Sequence, residues 1–342
     1  MKDRQAVGNY VYTVSRLRGM ENHLLDSAFF SRLMDSSGID DAVKALGETS
    51  YSQWISAAGN ANNFDKAIDS EILATCEELK SFVPDSELLD IFRLPYDFHN
   101  VKVLLKGLFK VRGGETEGRR YDLISKLGTI DTEELTNAIE TEEYGFLPYG
   151  LTDLIPQCWQ LWDQTKNAQA VELLIDHQMF KAMLKVAEEL NMPDVIQWVR
   201  NKIDAENLRG AIRLARMKYD SAKALPFFHE GGNIRPDDIA KLLNEPVETW
   251  SRVLSYTDIG AVLTALQEQG DIKASLTDVS KALDEYLLKV LEKAKYSMDA
   301  PANVLLYLLT KEAEARNMRV ALVCVAGGLD REFGRRLLSN GR

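Results

Sequence analysis

The run Val195-Ile196-Gln197-Trp198-Val199-Arg200-Asn201-Lys202-Ile203-Asp204-Ala205-Glu206-Asn207-Leu208-Arg209-Gly210-Ala211-Ile212-Arg213-Leu214-Ala215-Arg216-Met217 decides the fold class. Val195, Val199 and Ile203 lie four apart, and Leu208, Ile212 and Ala215 lie three or four apart. That spacing lays an apolar stripe along one side of a helix, whereas a half-buried strand would alternate residue by residue. The same period runs through 14–33, 121–127, 171–190, 239–254 and 280–291, with alternating runs nearly absent. Gly113-Gly114, Gly145 with Pro148, Pro193, Gly231-Gly232 and Gly327-Gly328 punctuate the helical stretches. Ser50-Tyr51-Ser52-Gln53 has capping-box spacing, and Pro236-Asp237-Asp238 places proline and acids where a first turn favours them. The expectation is an all-α protein.

Inside the opening run sits the hexapeptide Asp204-Ala205-Glu206-Asn207-Leu208-Arg209, and it has two counterparts. They are Asp97-Phe98-His99-Asn100-Val101-Lys102 and Glu314-Ala315-Arg316-Asn317-Met318-Arg319. Each reads acid, two variable residues, Asn, aliphatic, base, and the asparagines are 107 and 110 residues apart. Similarity at a fixed period marks duplicated structural units. Gly128-Thr129-Ile130 before Glu133-Glu134-Leu135 resembles Gly232-Asn233-Ile234 before Asp237-Asp238-Ile239. Phe29-Phe30-Ser31-Arg32-Leu33 is a looser counterpart in the first unit. Three similar helical-bundle domains are therefore expected, at 1–127, 128–231 and 232–342.

Acid and base within the motif are five positions apart, which is not a helical pairing distance, so they need not bond each other. An N-cap reading fits Asp97, which follows Pro95, but not Glu314, which lies within a continuous helical run. A reading that serves all three copies turns the aliphatic into the core and uses Asn to bond a neighbouring helix end or loop. A buried amide without partners costs about 1–3 kcal/mol, so such a residue demands its geometry. Exposed interface contacts are the alternative.

The 342 residues are 45% hydrophobic and 27% charged, enough apolar surface for a core and too long for one ordinary domain. The net charge of -11 opposes binding to phosphate backbones, so nucleic acid is not an expected partner. Cys76, Cys158 and Cys324 are odd in number and scattered, which fits neither a disulfide framework nor a metal site. The start, Met1-Lys2-Asp3-Arg4-Gln5, has no apolar secretory core, and the longest apolar stretch, 320–329, falls short of the roughly 20 residues of a membrane span. A cytoplasmic chain without membrane insertion is expected.

Chemistry-bearing motifs are missing. His23, His99, His177 and His229 have no second His or Cys at ligand spacing. No phosphate-cradling glycine loop, G-x-S-x-G or H-E-x-x-H occurs. Asp40-Asp41 and Asp237-Asp238 lead to Lys44 and Lys241 instead of a third acid. No catalytic, cofactor-binding or metal residues are expected, and no small-molecule substrate. Two basic clusters, Arg112 with Arg119 and Arg120 in a Gly-rich loop and Arg331, Arg335 and Arg336 with Arg342, are either helix-end charge or contacts to an acidic partner. Trp54, Trp159, Trp162, Trp198 and Trp250 occupy apolar helical positions, where core packing is the default.

The opening Tyr10-Val11-Tyr12-Thr13-Val14-Ser15-Arg16-Leu17-Arg18-Gly19-Met20-Glu21, with Leu46-Gly47-Glu48-Thr49-Ser50-Tyr51, resembles the family of C subunits of archaeal and bacterial V/A-type rotary ATPases, counterparts of the d subunit of the vacuolar ATPase. Lys311-Glu312-Ala313-Glu314-Ala315-Arg316-Asn317-Met318-Arg319 is the most specific piece of the likeness, which spans essentially the whole chain. Ser339-Asn340-Gly341-Arg342 departs from the family pattern. The resemblance implies three helical domains arranged as a funnel. It also implies a non-catalytic central-stalk role, joining the shaft made of the D and F subunits to the membrane proteolipid ring and passing torque for ATP-coupled proton or sodium transport. Nucleotide chemistry and ion movement belong to other subunits of such a complex. A helical-repeat adaptor unrelated to rotary motors is the alternative, although units near 110 residues are far longer than the usual solenoid repeat.

Overall fold

The structure, a computed structural model, describes residues 10–59, 63–114, 119–268 and 276–338. All regular elements among them are helices, as the periodicity requires. The chain opens with α1 (Tyr10–Met20), α2 (Ser27–Met34), α3 (Ile39–Ala45), α4 (Ser52–Ala58) and α5 (Phe64–Lys80). There follow α6 (Leu88–Arg112), α7 (Thr132–Thr141), α8 (Leu151–Thr165), α9 (Ala168–Leu190), α10 (Pro193–Arg216) and α11 (Ser221–Ala224). It continues through α12 (Pro236–Leu242), α13 (Trp250–Val253), α14 (Asp258–Glu268) and α15 (Leu276–Glu292), and ends on α16 (Ala302–Gly327) and α17 (Arg331–Leu337). Tertiary contacts gather the residues into two compact units, one of Met1–Leu89 with Lys281–Arg342, the other of Asp90–Ser280.

In the first unit α16 is the central element. Residues 302 to 308 are buried without interruption, as are Ala313, Met318, Ala321 and Leu322. A helix apolar on all sides has to be enclosed, and α1, α2, α3, α5 and α17 pack around this one. Val14, Leu17, Phe30, Leu33, Ile68 and Ile72 supply their inner faces. The close approach of α17 rests on Gly334, where a Cβ would stand 2.8 Å from Cys324 Sγ. The serine of the expected capping box at α4 does other work: Tyr51 is the N-cap and makes no side-chain cap bond, while Ser50 Oγ accepts from Lys311 Nζ.

In the second unit α10 lies against α9 and α12, and α8 against α9. Trp198, Val199, Ile203, Leu208 and Ile212 form its buried face. Pro193 and Pro236 occupy first-turn positions, where a missing N–H costs nothing. Pro95 does not start a helix as proline often does; α6 runs straight through it. Asp97 therefore sits inside a helix, and the N-cap reading of that residue gives way. Trp198 and Trp250 are buried as expected, whereas Trp159 and Trp162 are half-buried around Phe109, whose ring stacks on Trp162 at 4.4 Å.

Candidate functional site

The repeated hexapeptide is a structural clasp. Asp97 on α6 is fully buried, and its carboxylate accepts the backbone N–H groups of Thr129 (2.9 Å) and Ile130 (3.0 Å) and the Thr129 hydroxyl (2.8 Å). One helical turn on, Asn100 behaves like a strand partner: its Nδ2 donates to the Ser125 carbonyl and its Oδ1 accepts the Ser125 N–H, both at 2.8 Å. Arg93 adds bonds to the carbonyls of Leu127 and Gly128. Five residues of loop backbone are thus paired by side chains of one helix, which satisfies groups that no regular structure serves.

The second copy repeats these bonds. Asp204 accepts from the N–H groups of Asn233 and Ile234 at 3.0 Å each, and from Asn233 Nδ2 at 2.9 Å. Asn207 donates to the His229 carbonyl at 2.8 Å and accepts its N–H at 2.7 Å. Burial pushes the Asp97 and Asp204 carboxyls above the usual carboxylate range, although the backbone donors pull the other way.

The third copy acts within the first unit and reaches to the beginning of the chain. Glu314 accepts the Leu25 N–H at 2.6 Å and the Tyr51 hydroxyl at 2.7 Å, and it pairs with Lys311 at 2.7 Å. Lys311 also meets Glu71 at 3.1 Å, with only 3% of its side chain exposed. Trp54 Nε1 donates to the other Glu71 oxygen. Burial and the Glu314 charge raise the Tyr51 hydroxyl well above its ordinary range, keeping it a donor. In all three copies the held N–H belongs to the residue just before a helix N-cap: Ile130 before Asp131, Ile234 before Arg235, Leu25 before Asp26.

The motif's aliphatics Val101, Leu208 and Met318 are wholly buried, as the packing reading requires. Its bases turn away from the acids. Lys102 pairs with Asp176 on α9, Arg209 with Glu206 and the Ser280 carbonyl on α15, and Arg319 with Asp65 and Asp69 on α5.

Most of the described arginines of the basic clusters are paired with acids of their own unit. Arg112 belongs to the last turn of α6, not to a loop, and lies 4.2 Å over the Trp159 ring near Glu142 and Asp163. Arg119 meets Glu140, and Arg120 forms a two-bond pair with Asp122. Arg331 and Arg335 share Asp35, and Arg336 sits 6.0 Å over Phe333. Arg342 lies outside the described residues.

Among the described residues no group of three or more His, Cys, Asp or Glu is placed to hold a metal, and no helix is long and apolar enough to cross a membrane. His99 Nε2 donates to the Leu123 carbonyl. His177 and His229, 52 positions apart in sequence, meet ring to ring, a juxtaposition that no spacing rule shows.

Comparison with known proteins adds the decisive observation: residues 13–337 match the model of the ATP synthase (C/AC39) subunit family. The chain belongs to that family. Among its curated C/AC39 relatives is the C subunit of the V-type sodium ATPase of Enterococcus hirae, 23% identical over 90% of this chain and 91% of the relative. The C subunit of the A-type ATP synthase of Methanocaldococcus jannaschii is 26% identical over 92% of this chain and 82% of its own length. The C subunit of the V-type ATP synthase of Thermus thermophilus is 24% identical over 91% and 93%. The C/AC39 match and these relatives support a place for the chain as a rotary-ATPase subunit.

Proposed function

We propose that the chain is the non-catalytic central-stalk connector of a V/A-type ATPase, joining the shaft made of the D and F subunits to the membrane proteolipid ring. It would work in the cytoplasm, peripheral to the membrane through the complex, and pass torque between ATP chemistry and proton or sodium movement. The observation that carries this reading is the set of three clasps with one register, each holding the residue before a helix N-cap. Family membership supports the choice of machine, and the clasps support a structural part in it.

A torque-bearing part has to keep its helices in fixed relation under shear. A helix end held only by apolar contact slides at little cost, because dispersion contacts are individually weak and non-directional. A buried carboxylate or amide bonded to loop backbone resists sliding, since displacement strands polar groups at about 1–3 kcal/mol each. We read the three clasps as three helical repeats in a funnel, each motif gripping the loop that begins the next repeat. The expected boundaries at 127 and 231 fall inside the gripped loops. The third motif grips a loop near the start of the chain, at Leu25.

The test is reconstitution of the motor with and without this chain. With it, ATP hydrolysis should drive ion transport, and the chain should copurify with shaft and ring subunits. Without it, hydrolysis by the soluble head should continue while transport stops. Contacts with a ring of many identical subunits are expected to be polar and individually modest, so binding should weaken steeply as salt rises. Transport that survives removal of the chain, or capture of soluble clients in place of motor subunits, would overturn the reading.

A further inference from the structure

The second clasp contains a feature that the first lacks. His229, whose backbone Asn207 holds, points its Nδ1 at His177 Nδ1 across 2.8 Å, with ring centres 4.7 Å apart. Its other face rests on Phe180 at 4.6 Å. His177 Nε2 lies 3.2 Å from the Pro226 carbonyl, which only accepts, so that nitrogen carries a proton. In the neutral pair His177 Nδ1 is then a lone pair, and His229 Nδ1–H donates to it. One added proton is tolerated, because a single N–H still lies between the rings. A second puts two N–H groups head to head and two charges side by side.

The charged groups around the pair do not relieve this. Glu206 on α10 favours a charge on His229 but is already paired with Arg209 and near Lys202. Lys102 on α6 opposes the charge and is itself paired with Asp176, the neighbour of His177 on α9. Burial and the facing ring hold His229 down at about 4, well below the ordinary histidine range.

We propose that His177 and His229 form an acid-sensitive latch: protonation of both rings releases the loop that Asn207 grips, while the Asn100 clasp stays shut. When the latch opens, the His229 imidazole reaches water and titrates near the ordinary histidine pKa of about 6.5. The open form then binds about one proton more than the closed form. Linkage makes opening roughly tenfold easier for each pH unit below that point. This latch does not depend on the rotor reading.

Hydrogen exchange on the full chain tests it, because the same bond exists twice. The His229 amide donates to Asn207 Oδ1, and the Ser125 amide donates to Asn100 Oδ1. Near Ser125 lies His99, which keeps donating to the Leu123 carbonyl when charged. Between about pH 7 and about pH 5 the protection factor of the His229 amide should fall at least tenfold, while that of Ser125 changes less than about twofold. In His177→Gln the fall at His229 should be clearly smaller than in the wild type, since an amide oxygen accepts from a charged imidazole as readily as from a neutral one and only burial still opposes the charge. Equal losses at the two amides, or no loss at His229, would overturn the latch without any variant. An undiminished fall in His177→Gln would show a lone buried histidine at work instead of a pair.

Discussion

Gly128 brings its backbone so close to Asp97 that a Cβ there would stand 2.2 Å from Oδ1, and Gly232 stands in the same relation to Asp204. Both glycines open the loops that the carboxylates hold. The short aspartate side chain reaches two successive N–H groups only if the loop lies against it. The third clasp uses Glu314, one methylene longer, and has His23 where the others have glycine. Side-chain length and loop approach vary together.

Gly128→Ala and Gly232→Ala should therefore each destabilise the protein by about 1–3 kcal/mol through overpacking. Gly19, exposed in α1 with open space around its Cα, is the control. There alanine should be neutral or stabilising by up to about 1 kcal/mol, from helix propensity alone. Urea unfolding of the three variants measures both. Equal effects at all three positions would show that the carboxylate approach is not what the two loop glycines serve.

Asn207→Leu should cost about 2 kcal/mol, because it removes both partners of the His229 backbone while keeping the volume nearly constant. A thermal melt is sufficient. An unchanged midpoint would mean that water replaces the amide at no cost.

The helices and the thrice-repeated motif were legible because helical period and a spaced hexapeptide survive in one dimension. The reason for each motif residue was less so. Pro95 suggested a helix start and so made Asp97 look like a cap, although the chain carries the helix through it. Ser50 had capping-box spacing, but a buried lysine claims its hydroxyl. The third clasp hid from sequence reading because Glu314 and Leu25 are 289 positions apart. His177 and His229 failed for the same reason: ring-to-ring contact arises from tertiary packing, not from a ligand spacing.

The Lys311 network predicts a larger loss. One ammonium serves Glu71 and Glu314, all three nearly sealed from water. Lys311→Met would leave two buried carboxylates without their cation, which costs about 3–5 kcal/mol. Lys185→Met removes a pair that is mostly exposed and should cost less than about 1 kcal/mol. Denaturant midpoints of the two variants compare them directly. If the losses were alike, Glu71 and Glu314 would have to find water or other donors in the variant.

Acid titration separates the clasp carboxylates from the histidine latch by sign. Asp204 has its carboxyl raised in the folded state by burial, above the value of 3.8 expected when it is free. Between those two values the native chain holds a proton that the unfolded chain has released, so through this group acidification favours the native state. The gain disappears as pH rises through the raised value and stays absent at neutrality. His229 runs the other way: its contribution is full above the ordinary histidine range and is lost as pH falls toward about 4. Replacing Asp204 by Asn removes one titrating group and leaves His229 in place. The stability of the wild type relative to Asp204→Asn should thus grow as pH falls from about 7 to about 4, by about 1.4 kcal/mol for each pKa unit of elevation. Melting temperatures of both proteins across that range give the slope, which is independent of whatever the substitution costs at neutral pH. A difference that stays flat, or shrinks on acidification, would mean that the three donors from Asn233 and Ile234 outweigh burial and that Asp204 is held as a stabilised anion.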